Sequence, residues 1–99
     1  MQPQETIEER VERLVLEYAQ NAPPGGHLRP DLSLRKDLAV ESLSLVSLTI
    51  RLGDELGVDI VELDINIGRV ETLKDLVELG HRLSKLGQVN TTSAGVIGS

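Results

Sequence analysis

The sequence predicts an all-α fold of three main helices plus one short helix, with a long loop between helices one and two. Three observations carry that reading. Apolar residues recur at helical spacing in three segments. Helix start or stop signals border each of them. Val58-Asp59-Ile60-Val61 has the composition of a strand but no partner, and an isolated strand is not stable. A length of 99 residues allows one domain, with a small core that suffices without metal or disulfide staples.

The first helix is predicted over roughly 6–20. Thr6-Ile7-Glu8-Glu9 reads as a capping box, in which the Thr6 hydroxyl accepts from the Glu9 amide and the Glu9 side chain reaches back. Ile7, Val11, Leu14, Val15 and Tyr18 form its apolar stripe, and Asn21-Ala22-Pro23-Pro24-Gly25-Gly26 ends it. Residues 21 to about 40 then form the long connection. Leu28, Leu32, Leu34 and Leu38 are spread through it, so it is expected to pack on the core. A connection of that length in so small a domain is often functional.

The second helix is predicted over roughly 42–56, stopped by Gly57. It carries two apolar stripes. Leu45, Leu48, Leu52 and Leu56 make one; Leu43, Val46 and Ile50 make the other, pointing nearly the opposite way. A helix on one core needs a single apolar face, so the second must meet another helix, a ligand or a partner. A short helix is expected within 61–68. The last helix is expected over 72–86, opened by Thr72-Leu73-Lys74-Asp75 as a capping box with Asp in place of Glu, and stopped by Gly87. The helical domain thus occupies 1–87, and 88–99, rich in Thr, Ser and Gly and without periodicity, is expected to be a tail lacking fixed structure.

Ten basic and sixteen acidic side chains give a formal charge of -6, which argues against nucleic acid. Cysteine is absent, which excludes a disulfide framework, a thiolate zinc site and a cysteine nucleophile. No apolar run is long enough to span a membrane. The first residues lack the basic and apolar segments of a secretory signal, so a cytoplasmic protein, a monomer, is expected.

Catalytic constellations come up short. His27 sits in a Gly-flanked loop, and His81, near the predicted end of a helix, reads as a complement to the helix dipole. Ser42 lacks the flanking glycines of a nucleophile elbow. Asp54, Asp59, Glu62 and Asp64 crowd together without the order of a calcium loop, and read as solvated acids. Pro23-Pro24-Gly25-Gly26 lacks the Lys and Ser/Thr of a phosphate-binding loop. No metal site and no catalytic residue is assigned, and the chain is not read as an enzyme.

What remains is Asp37-Leu38-Ala39-Val40-Glu41-Ser42-Leu43, which sets a serine at the opening of the two-faced helix. Taken alone, a serine there is usually a cap. The junction resembles the acyl carrier proteins and their peptidyl relatives, which carry Asp-Leu-Gly-x-Asp-Ser-Leu at this place. Asp37, Leu38, Ser42 and Leu43 match; Ala39 stands for the usual Gly and Glu41 for the usual Asp. Gly57-Val58-Asp59-Ile60 is similar to the exit of the family's second helix, and Thr72-Leu73-Lys74-Asp75-Leu76 to the start of its last. The resemblance spans about 6–86.

The resemblance implies a four-helix bundle with a 4'-phosphopantetheine arm on Ser42, moved there from coenzyme A by a phosphopantetheinyl transferase. The arm's thiol would carry acyl or aminoacyl groups as thioesters between acyl-loading and acyl-transferring enzymes, in fatty-acid, lipid or secondary-metabolite biosynthesis. Glu41, Leu43, Val46 and Ile50 would then contact the arm or a partner. The usual carrier's second helix shows several carboxylates; here Ser44, Ser47 and Arg51 take that surface, which points to a specialised carrier. The competing reading is a non-covalent helical interaction module in which Ser42 is only a cap.

Overall fold

The computed structural model describes residues 5–26, 28–63 and 65–98; side chains are described to residue 87, apart from that of 26. It is all-α: α1 (Ile7–Tyr18), α2 (Ser42–Glu55), the short α3 (Ile60–Leu63) and α4 (Leu73–Gly98), with no strand among the described residues. Two 3-10 turns, Pro24–Gly26 and Ile67–Arg69, lie in the connections. No helix among the described residues is long and apolar enough to cross a membrane.

α1 starts where its capping box requires. The Thr6 amide donates to Glu9 Oε1 at 2.9 Å and the Glu9 amide donates to Thr6 Oγ1 at 3.1 Å. Its stripe then buries Val11, Leu14 and Val15 completely. α1 packs against both α2 and α4. The close approach to α4 falls at Gly80, where a Cβ would meet Ile7 Cγ2 at 2.8 Å.

α2 ends in a Schellman motif. Gly57 takes φ +78°, the Gly57 amide donates to the Asp54 carbonyl (3.2 Å), and the Val58 amide donates to the Gly53 carbonyl (2.8 Å). The chain folds back so tightly that a Cβ on Gly53 would lie 2.8 Å from the Val58 carbonyl oxygen. Asp59 Oδ1 then accepts from the Val61 amide (3.0 Å) and opens α3.

The connection from α1 to α2 contributes Leu34, Leu38 and Val40 to the core. It is stitched at both ends. Asn21 donates from its side chain to the Asp37 carbonyl (2.9 Å) and from its backbone to the Leu38 carbonyl (3.2 Å). The Leu34 amide donates to the Glu71 carbonyl, and the Leu73 and Lys74 amides donate to the Leu32 and Pro30 carbonyls. An isolated antiparallel bridge, Ser33 to Thr72, lies among these bonds.

α4 departs from expectation at its far end. Its start is the predicted box: the Asp75 amide donates to Thr72 Oγ1 (3.2 Å), and Asp75 Oδ2 accepts from the Thr72 and Glu71 amides (3.1 Å each). Gly87, however, is an interior position, and the helical backbone continues to Gly98. The glycine serves a close approach: a Cβ there would fall on the Leu56 carbonyl oxygen. A glycine permits a stop without compelling one. The tail expected over 88–99 concerns residues whose side chains lie outside those described.

Candidate functional site

The site is built by a turn, two anchors and a helix start. In the turn, Asp37 Oδ2 accepts from the Ser33 amide (2.7 Å), Ser33 Oγ accepts from the Lys36 amide (3.0 Å), and the Asp37 and Leu38 amides both donate to the Ser33 carbonyl. Asp37 therefore holds the loop rather than facing a ligand. Leu38 and Val40 follow, each 1 % exposed, with Ala39 between them at φ 54°. The left-handed residue lets both neighbours enter the core. The Val40 amide donates back to the Leu34 carbonyl (2.8 Å), which closes the approach to α2.

Glu41 is the N-cap of α2 in backbone conformation (φ -70°, ψ 160°), yet its side chain makes no capping bond. It accepts instead from Gln20 Nε2 at 3.0 Å. Glutamate is one methylene longer than the good N-cap residue aspartate, and here the carboxylate reaches away from the helix. Ser42 is thus the first residue inside the helix and not its cap. It is exposed, and its hydroxyl has no hydrogen-bond partner among the described residues. The first turn of α2 carries no acid, so no carboxylate within that turn answers its free amides and dipole.

The two stripes of α2 separate cleanly. Leu45, Leu48 and Leu52 are buried, and buried Thr49 returns its hydroxyl to the Leu45 carbonyl (2.8 Å). Leu43 is 81 % exposed, Val46 39 % and Ile50 36 %, so the second stripe lies outside the buried core, Leu43 most fully. Ser42, Leu43, Val46 and Ile50 are all exposed and, at helical spacing, fall on one side of α2, whereas the carboxylate of Glu41 is turned to Gln20. Arg51 is drawn off that surface toward α1, donating to Glu17 Oε1 (2.8 Å) with its guanidinium 5.8 Å from the centre of the Tyr18 ring.

A groove of about 720 Å³ opens beside Ser42. Val46, Ile67 and Val70 supply apolar wall, and Arg35 and Lys36 supply charge. A second groove of about 510 Å³ lies between the Ile67–Arg69 turn and α4, walled by Leu63, Ile65, Leu79, Leu83 and Leu86, and it shares Val70 with the first. Arg35, Lys36, Ile67 and Val70 are not singled out by sequence reasoning. The one signal for the first two is their position between Leu34 and Leu38: with both leucines turned inward, the residues between them turn out.

Other candidates lie elsewhere. His81 is within the body of α4, not at its end, and its Nε2 lies 3.0 Å from Glu8 Oε2, so it ties α4 to α1 rather than answering a helix dipole. His27 and Asp64 lie outside the described residues. No family model, curated protein or solved structure matches the chain.

Proposed function

We propose that this chain is a carrier protein that bears a 4'-phosphopantetheine arm on Ser42, shuttling acyl or aminoacyl thioesters between enzymes and catalysing nothing itself. The observation that carries the reading is the state of the serine. It opens a 14-residue helix, is exposed, is not spent as a cap, and sits in the Asp-Leu-x-x-x-Ser-Leu setting of that family. A phosphate ester on its oxygen would enter solvent beside a groove without displacing a buried side chain. The four helices would form the family's bundle, with the α1–α2 connection as its long loop.

In loading, Ser42 Oγ would attack the phosphorus that bears the pantetheine arm in coenzyme A. The new O–P bond forms as the pyrophosphate P–O bond breaks, adenosine 3',5'-bisphosphate leaves, and the serine proton passes to a base on the transferase. This chain's task is to present the oxygen on a rigid element. Leu38 and Val40 before it and Leu45 after it are buried and fix its place. The face formed by Leu43, Val46 and Ile50 would seat partner enzymes. It lacks the carboxylates of a general fatty-acid carrier, which favours a specialised carrier with its own partners.

Incubation with coenzyme A and a broad-specificity phosphopantetheinyl transferase tests this directly. Intact mass should rise by one arm in the wild type and not at all in Ser42→Ala. An unchanged wild-type mass with several transferases would instead favour a non-covalent module that docks through the exposed stripe of α2.

A further inference from the structure

We propose that Arg35 and Lys36 form an anion site for the phosphodiester that joins the arm to Ser42, so that the root of the arm is held against the protein while its far end moves. The proposal rests on Ser42 bearing the arm. Three observations point to it. Both cations line the same groove as Ser42. Both are exposed and neither has an ion-pair partner among the described residues, whereas Arg10, Arg13 and Arg51 are each tied to glutamates of α1 or α2. And both stand on fixed backbone: the Ser33–Asp37 turn is closed by its own hydrogen bonds, and Leu34 and Leu38 on either side are buried.

The charge balance sharpens the case. The chain carries -6 overall, yet this groove gathers two cations against the single carboxylate of Glu71. A phosphodiester is a monoanion at every ordinary pH, with two free oxygens that a guanidinium fork matches and an ammonium attracts as a point charge. Neutralising it there would offset one of the two uncommitted charges. The pair would also bias the direction in which the arm leaves Ser42, toward Val46, Ile67 and Val70 rather than across α1.

The test uses the loaded protein and phosphorus NMR. Loading is first verified by mass. The phosphodiester resonance of the folded wild type should then be displaced from its position in the urea-unfolded chain. The displacement should collapse in Arg35→Gln/Lys36→Gln, shrink in about 0.5 M salt, where exposed charges are largely screened, and grow in Glu71→Gln. All three positions are exposed, so the variants should fold, and Arg29→Gln, outside the groove, should leave the resonance where it is. A resonance at the same position in wild type, double variant and unfolded chain would overturn the anion site and leave the carrier reading standing. Failure to load Ser42 at all would overturn both.

Discussion

Ala39 is the residue that pays for the site's geometry. Its φ of 54° is the one positive value among the described non-glycine residues, and it falls three positions before Ser42, where the resembling family places glycine. The left-handed conformation costs an ordinary L-residue about 1–2 kcal/mol. Glycine removes that strain but gives back about 0.4–1 kcal/mol through a freer unfolded chain. Ala39→Gly should therefore stabilise the protein by roughly 0.5–1 kcal/mol, read as a higher urea midpoint with an unchanged m-value. A lower midpoint would mean that the turn does not need the left-handed residue. Glu41 shows a related substitution of length for function. The residue keeps the N-cap backbone, but its carboxylate goes to Gln20, and the start of α2 is left uncapped by any side chain.

At the scale of elements, α2 is informative because its two apolar faces have different fates. Leu48 is fully buried and Ile50 is 36 % exposed. Leu48→Ala should cost about 2–5 kcal/mol, the range for a buried leucine that leaves a cavity. Ile50→Ala should cost well under half of that in the isolated protein. Equal losses in denaturant titrations would show that the second stripe is core. The glycines teach a complementary lesson. Gly57 has the positive φ and the paired amides of a helix stop, and the prediction of an end there holds. Gly87 has the same letter and a different task, since the helix passes through it to keep clear of the Leu56 carbonyl. Only a neighbour distant in sequence distinguishes the two.

Over the whole molecule, charge binds the helices as well as covering them. Glu17 and Glu55 meet Arg51, Arg10 and Arg13 across α1 and α2, with Glu55 Oε1 2.7 Å from Arg10 and 2.6 Å from Arg13, and Glu5, just before α1, pairs with Arg13. Arg13 holds Glu5, and Arg51 holds Glu17, below the ordinary glutamate range. Glu8 is held down by its own backbone N–H and by His81, and Asp75 by the amides of Glu71 and Thr72. Each is a lowered carboxylate, so the folded state binds fewer protons than the unfolded chain in that range, and stability rises with pH through it. The urea midpoint should accordingly be steady above about pH 5 and fall as the pH drops through about 4. Asp75→Ala should lower the neutral midpoint and make the acid fall shallower; a midpoint flat down to pH 3 would contradict the coupling.

Sequence alone determined where α1, α2 and α4 start, the capping boxes at Thr6 and Thr72, the stop at Gly57 and the position of Ser42, because each depends on residues within about five places of one another; it did not determine that α4 continues past Gly87. It also determined that α2 has two apolar faces. Only the tertiary structure decided which face is core, that Asp37 serves the loop and Glu41 turns to Gln20, and that Arg35 and Lys36 share a groove with Ser42. Those outcomes depend on where separate segments come to rest against each other, and local spacing carries no record of that.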